Sequence, residues 1–415
     1  MSLFGGVIPI SSITFLMFCL LAIAAVGYAF GRITIKGVNL GTAGVFIIAI
    51  LFGCFFYGSL ESELALKSGG NYTTNALKVV ESFGLILFVT SVGFIAGPKF
   101  FSNMKKNFKS YVLLGIIIIV MAGVSAVGCI YIGRAIEGTG ESDRLTAMIV
   151  GLLSGSLTST PAFSAAKATV DPALEDVVSV GHGIAYLFGV VGVVLFVQLI
   201  PKFMKANMAE ERAKLVAASD GEEKEKSKTK LIDLDPFGIC AFAFAAIIGI
   251  FVGAIKVPLS AKGLDGTTFA LTTTGGCLMV ALVFGHFSKI GKINLMPEES
   301  TLKVFRELGL MLFLIGAGIP GGAHFVEYFD VMYFVYGVIM TVVPMVIGFL
   351  FAKYVLKLSL LNNLGSITGG MTSTPALGTL INTAGTEDVA AAYAATYPIA
   401  LIAVVLVSQF LIILF

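Results

Sequence analysis

Residues 155–162 read GSLTSTPA, and residues 369–376 read GGMTSTPA; the two phrases differ only at their second and third positions. Both lie in strongly apolar surroundings. There, a glycine-flanked run of serine and threonine has to be covered by protein or line a watery cavity. Pro161 and Pro375 suit the first turn of a helix, where a missing N–H costs nothing. That makes Thr160 and Thr374 the expected N-caps, with Thr158, Ser159, Thr372 and Ser373 just before them. Gly155 and Gly369, followed by Ser156 and Gly370, let the preceding half-helix loosen and end. Each phrase then reads as half-helix, turn, half-helix. Its tip is expected to offer unpaired N–H groups, the positive end of a helix dipole and free hydroxyls. Such a tip seats a carboxylate or other anion with no lysine or arginine in the membrane core. The substrate-binding candidates are Gly155, Ser156, Thr158, Ser159, Thr160, Pro161 and Ala162, and Gly369, Gly370, Thr372, Ser373, Thr374, Pro375 and Ala376. The competing reading is tight helix packing by small residues around a tolerated proline. Recurrence at equivalent places favours a site.

Three side chains join these candidates. His182 stands four residues before Tyr186, so the two share a helix face, and Tyr397 is the repeat equivalent of Tyr186. Interfacial packing is the alternative role for all three. Glu81, Arg306 and Glu307 fall near span ends, and Lys167 and Asp171 end the second arm of the first hairpin, a solvated position. Thr90 and Ser91 sit mid-span. The three histidines share no ligand spacing, and the cysteines at 19, 54, 129, 240 and 277 form no CxxC pair. A metal site, a disulfide framework and a cofactor are therefore not expected. Nor does the sequence hold a nucleophile motif or a phosphate loop.

The elements that must position these residues are membrane helices. The chain is 57% hydrophobic and 13% charged, where a soluble protein carries about a quarter charged residues. Its mean hydropathy is +0.96. The formal charge of +2 gives no footprint for nucleic acid. Ten apolar spans are predicted, at about 8–31, 41–58, 77–97, 110–133, 177–200, 237–255, 268–286, 302–319, 328–352 and 389–413. The first lacks a basic leader and is expected to be a retained helix. Between the fifth and sixth lies a charged stretch, residues 201–235, containing EEKEKSKTK, which is expected to be a solvated linker.

The segments on either side of the linker, 1–200 and 236–415, resemble each other. LGTAGVFIIAILFG at 40–53 aligns with TTTGGCLMVALVFG at 272–285. ALKVVESFGLILFVTSVGFIAG at 76–97 aligns with TLKVFRELGLMLFLIGAGIPGG at 301–322. The TSTPA phrases follow, and then YLFGVVGVVLFVQ at 186–198 aligns with YPIALIAVVLVSQ at 397–409. Four blocks in one order indicate an internal duplication. Orientation follows from basic residues. If each TSTPA segment is re-entrant, the loops with Arg32 and Lys36, with Lys99, Lys105, Lys106 and Lys109, with Lys289 and Lys292, and with Lys353 and Lys357 all fall inside. So does the linker, with eight Lys and Arg between 201 and 230, while both termini fall outside. The expected fold is an all-α polytopic membrane protein of two inverted repeats, each of five transmembrane helices plus one re-entrant hairpin, elevator-like in action.

The GxxTSTPA phrase in both halves resembles the aspartate:alanine exchanger family of bacterial secondary transporters. So do LGTAGVFIIAILFG with the preceding GYAFGRITIKGVNL, and YPIALIAVVL near the C-terminus. The resemblance covers nearly the whole chain. It implies exchange of amino acids or dicarboxylates across the bacterial inner membrane, driven by the gradients of the exchanged solutes. It also implies a cytoplasmic segment between two homologous membrane halves. Many members insert paired regulatory domains of the potassium-transport-regulator type there. The linker here, about 35 residues, is too short for them, so regulation through such domains is not expected. Leu187 also departs from the second half, which has Pro398 at that position.

The expected function is thus secondary transport of a small carboxylate, with cargo held between opposed tips in a lipid bilayer. By analogy with elevator-like transporters, a homodimer is expected. A channel or an ion-coupled symporter for a small anion is the alternative. No span shows the sustained polar stripe a pore requires, and no carboxylate sits mid-membrane for obligatory proton or sodium coupling.

Overall fold

The computed structural model describes residues 2–3, 8–9, 12–35, 38–39, 43–65, 72–137, 142–219, 232–258, 263, 268–328 and 330–415. The first half contains α1 (Ser12–Gly31), α2 (Ala43–Glu63), α3 (Thr73–Glu137), α4 (Ser142–Ser156), α5 (Thr160–Thr169) and α6 (Glu175–Phe203). The linker contributes α7 (Met208–Ser219). The second half contains α8 (Ile239–Ala254), α9 (Thr272–Phe287), α10 (Glu299–Tyr328), α11 (Val331–Tyr354), α12 (Leu360–Gly370), α13 (Thr374–Ala384) and α14 (Val389–Leu414). Small antiparallel hairpins join some of them: β1 (Ser2–Leu3) with β2 (Ile8–Pro9), β3 (Thr34–Ile35) with β4 (Val38–Asn39), β5 (Val257–Pro258) with β6 (Thr268–Phe269), and β7 (Lys289–Ile290) with β8 (Ile293–Asn294). One such hairpin separates the first two spans of each half.

Every predicted span contains a helix, and among the described residues seven helical segments are long and apolar enough to cross a bilayer. The fold is therefore an all-α polytopic membrane protein. The polar loop expected around Lys99, Lys105, Lys106 and Lys109 is corrected: α3 runs through it, with Pro98 inside. After Gly97 the stretch contains no glycine to stop a helix, and Pro98 stands where a new turn can start. The side chains of 99–106 lie outside the described residues. At 65 residues, α3 has a contour length of about 98 Å at 1.5 Å per residue, enough for two passes of a roughly 30 Å hydrocarbon core. It supplies two crossing segments, Thr73–Pro98 and Asn107–Ile136.

The chain forms two compact units, Met1–Phe88 with Phe305–Tyr328, and Val89–Val304 with Phe329–Phe415. These are not the two halves of the sequence. The first unit has its own core, in which Leu16, Leu20 and Ile23 of α1, Val45 and Ala49 of α2 and Leu77 of α3 meet Ile315 and Ile319 of α10. There α2 and α10 touch backbone to backbone. A Cβ on Gly53 would lie 2.1 Å from the Ile319 carbonyl oxygen, and one on Gly322 would lie 2.1 Å from that of Ile50. The second unit contains the counterpart contact between α9 and α3. A Cβ on Gly285 would lie 2.5 Å from the Phe94 oxygen, and one on Gly97 would lie 2.6 Å from that of Leu282. In the alignment of the halves, Gly53 corresponds to Gly285, Ile50 to Leu282, Phe94 to Ile319 and Gly97 to Gly322. The second span of each half therefore packs on the third span of the other. Gly84 and Gly309, also equivalent, pack on each other within the first unit: a Cβ on either would lie 2.7 Å from the other's carbonyl oxygen.

The linker, expected to be solvated throughout, is in part docked. In α7, Leu215 is buried. Glu211 Oε2 accepts a hydrogen bond from Leu360 N at 3.1 Å, and Arg212 Nη1 donates to the Ala384 carbonyl at 2.8 Å. A negative charge thus meets the N-terminus of α12 and a positive charge the C-terminus of α13, each at its favourable helix end. Lys214 pairs with Glu211 at 2.5 Å, which raises the lysine's pKa. The EEKEKSKTK stretch, residues 222–230, lies outside the described residues. Beyond it, Ile232 bridges to Ile293. Asp235 then accepts from the Cys240, Ile239 and Phe237 N–H groups at the start of α8, which holds its carboxyl below the usual range.

Candidate functional site

Both TSTPA phrases fall where a helix breaks, and both lie in the second unit. α4 stops at Ser156 and α5 starts at Thr160; α12 stops at Gly370 and α13 starts at Thr374. The first helix of each broken pair lies against the last span of its half through two glycines one turn apart. On α4, a Cβ at Gly151 would lie 2.3 Å from the Val178 oxygen, and one at Gly155 would lie 2.3 Å from that of His182. On α12, a Cβ at Gly365 would lie 2.6 Å from the Val389 oxygen, and one at Gly369 would lie 2.6 Å from that of Tyr393. α6 meets α4 with glycines of its own, Gly181 and Gly189, where α14 has Ala392 and Ala400.

The two tips close with the same backbone bonds. Thr158 N donates to Gly155 O at 2.9 Å and Ser159 N to Ser154 O at 2.9 Å. Thr372 N donates to Gly369 O at 3.1 Å and Ser373 N to Thr368 O at 3.0 Å. Thr158 has φ 50° and Thr372 has φ 49°. A β-branched residue in the left-handed region is an outlier, costing about 1–3 kcal/mol, and here the strain recurs at equivalent positions.

The tips touch each other. Thr158 Oγ1 donates to the Thr372 carbonyl at 3.2 Å, and Thr372 Oγ1 donates to the Leu157 carbonyl at 2.5 Å. The expectation that these hydroxyls are free is corrected, because each holds the other tip's backbone. The caps are corrected as well: Ser159 and Ser373 occupy the N-cap positions, one residue before Thr160 and Thr374. An extended backbone at each serine precedes helical threonine and proline, so Pro161 and Pro375 remain in the first turn. Ser159 Oγ accepts from Ala162 N at 3.3 Å. Ser373 makes no such bond; its hydroxyl is buried with no partner, as is that of Ser366 one to two turns earlier on α12. Ser159, Ser373, Ala162, Ala376 and Pro375 are buried. The side chain of Thr160 lies outside the described residues. Ser156 Oγ donates to Gly337 O of α11 at 3.0 Å, and Gly370 faces Ile118 of α3.

His182 and Tyr186 come together as expected, with ring centroids 5.5 Å apart, and Phe163 of α5 stacks on the imidazole at 4.5 Å. His182 Nδ1 lies 2.8 Å from Ser154 Oγ, whose own proton goes to Gly151 O at 2.7 Å. With its proton on Gly151 O, the serine oxygen can accept from Nδ1–H of the imidazole. Tyr397 stacks on Tyr393 at 5.2 Å, and the Tyr393 hydroxyl lies 3.3 Å from Thr374 Oγ1. Tyr393 is the residue that sequence reasoning missed. The signal was present: the alignment of the fifth spans places it opposite His182, four residues before Tyr397. Elsewhere Thr90 and Ser91 are buried, Lys167 pairs with Glu175 at 3.5 Å, and Arg306 pairs with Glu307 at 2.7 Å. Among the described residues no group of histidine, cysteine or carboxylate side chains is placed to hold a metal ion.

A family profile described as a predicted permease membrane region, that of the aspartate–alanine exchangers, matches residues 19–202 and 241–413, leaving out the linker. An uncharacterized transporter from Bacteroides thetaiotaomicron is 27% identical over 544 aligned residues, covering 94% of this chain and 97% of that protein. A putative transport protein from Edwardsiella ictaluri is 23% identical, covering 95% of this chain and 97% of its own. An uncharacterized transporter from Geobacter sulfurreducens is 34% identical over 219 residues, covering 51% of this chain and 36% of its own. The first alignment exceeds the 415 residues of this chain, so that relative carries residues without a counterpart here. With its apolar spans, its doubled broken helix and a profile match through both halves, the chain is a multi-pass membrane transporter that belongs to the aspartate:alanine exchanger family.

Proposed function

We propose that the protein exchanges small carboxylate solutes, amino acids such as aspartate and alanine or dicarboxylates, across the bacterial inner membrane by alternating access. The observation that carries this reading is the meeting of the two TSTPA tips through paired Thr158 and Thr372 bonds. Two helix N-termini converge there, and their summed dipoles favour a negative charge. The hydroxyls that now hold the tips together are the groups a carboxylate would engage once the tips part.

The exchanged pairings support two inverted repeats, 1–200 and 236–415, about the 201–235 linker. Gly84 lies against Gly309 and Phe313 while Gly309 lies against Gly84 and Phe88, placing residue i against j′ and j against i′ as a two-fold relation does. On this reading both hairpins travel together in an elevator-like step, since one compact unit contains them both. Basic-residue placement supports a cytoplasmic linker and outside termini. A homodimer in the bilayer is part of the proposal, and catalysis is not.

The test is counterflow. Purified protein in liposomes preloaded with unlabelled solute is given labelled aspartate, alanine or succinate. Saturable uptake stimulated by internal solute is expected for at least one of them. Uptake indistinguishable from empty liposomes for all three, or an unsaturable current, would remove the reading.

A further inference from the structure

The two tips share sequence, backbone closure and strain, yet their helix starts are in opposite states. At α5 the Ser159 hydroxyl already accepts from Ala162 N, the position a solute oxygen would otherwise take. At α13 no side chain caps the helix, although Ser373 has nearly the same backbone, φ −94° and ψ 95° against φ −102° and ψ 99° for Ser159. The Ser373 hydroxyl is fully buried, at 0% exposure, and has no partner. A buried hydroxyl left unpaired costs free energy, and a native chain leaves few such groups without a reason. Thr374, next in line, turns its own hydroxyl to Tyr393 instead. At one end of an eleven-residue helix, then, the N–H groups have no side-chain cap and the N-cap hydroxyl is buried without a partner.

We infer that the α13 N-terminus with Ser373 is the seat of the solute carboxylate, and that the α5 tip is the cover that closes on it. This rests on the proposed carboxylate transport. One carboxylate oxygen takes the Ser373 O–H, the other the uncapped N–H groups of the first turn of α13. The first tip contributes Thr158, which releases the Thr372 carbonyl when solute enters. Ser159 is a structural cap and stays on Ala162.

The inference predicts opposite signatures for two matched substitutions, read in the counterflow assay and in thermal denaturation of the full chain in detergent. Ser373→Ala removes a hydroxyl that the empty protein does not use. Its Tm is expected to equal or exceed that of the wild type, while KM for the labelled carboxylate rises at least about tenfold, the worth of a charge-assisted hydrogen bond. Ser159→Ala removes a cap, so Tm is expected to fall while KM stays within about twofold. Ligand-induced rise of Tm, measured with unlabelled aspartate or succinate at one fixed concentration, adds a readout free of turnover: it should persist in Ser159→Ala and be clearly smaller in Ser373→Ala. Equal KM effects in the two variants, or the larger one in Ser159→Ala, would overturn the assignment while leaving carboxylate transport in place. A wild-type protein that moves none of the three solutes would remove the proposed function and this seat with it.

Discussion

The first broken helix of this protein, α4–α5, is tied into its surroundings by glycines on both contact faces, by a capped second arm and by a histidine bonded to Ser154. The second is tied by glycine against alanine, by an uncapped second arm and by a linker helix at its base. Where α4 meets α6, backbones approach until a Cβ would sit 2.3 Å from a carbonyl oxygen; where α12 meets α14 the figure is 2.6 Å. The linker adds Glu211 and Arg212 to the second broken helix, α12–α13, on its first residue Leu360 and its last residue Ala384. The difference teaches that a duplicated motif fixes a backbone path while leaving its polar groups to be spent differently. The first copy satisfies its own helix end. The second leaves its helix end open and is steadied from outside.

The packing side of that comparison predicts the largest effect. Gly155→Ala and Gly151→Ala place a methyl against backbone oxygen on a helix that cannot yield, and each is expected to cost about 3 kcal/mol, the upper range of overpacking. Gly369→Ala and Gly365→Ala should cost roughly 2 kcal/mol, since the approach is looser. Tm of the purified variants measures the order; a larger loss in the second hairpin would mean that the two contacts do not differ in the way described.

Next comes the clamp that only the second hairpin has. Arg212→Ala removes a charged donor from the end of α13, and a loss of about 1 kcal/mol is expected for a half-exposed pair of this kind. Protease cleavage around residues 384–388 should quicken while cleavage around residues 169–174 does not. Equal acceleration at both places would show that α7 steadies the whole unit rather than one hairpin.

The smallest effect is expected at the ring pairs. Tyr393→Phe keeps the stack on Tyr397 and deletes one neutral hydrogen bond to Thr374, worth about 0.5–1 kcal/mol, so KM should rise about two- to fivefold in counterflow. A rise beyond tenfold would move the main solute contact from Ser373 to the tyrosine hydroxyl and redraw the comparison.

Much of this was legible before any coordinates. The helices were set by runs of apolar residues, seven of them long enough to cross a bilayer among the described residues, and the broken helices by Gly, Ser, Thr and Pro in a fixed order, because those residues govern the backbone locally. The cap was misplaced by one residue because proline is tolerated at more than one position of the first turn. The loop at 98–109 was misread because lysines mark a membrane boundary without stopping a helix. Tyr393 was passed over because its role depends on Thr374 across a turn, a contact that spacing along α14 does not reveal.

By itself the sequence determined that the chain lives in a membrane, that it is duplicated and that each half carries one interrupted polar tip. Those properties follow from transfer free energy and from the local preferences of glycine and proline, which act residue by residue. Only the tertiary structure decided that the tips meet, that second and third spans are exchanged between halves, and that Ser159 is engaged while Ser373 is not. Those outcomes depend on distances between residues more than two hundred positions apart, and a hydrogen bond forms or fails over a few tenths of an ångström.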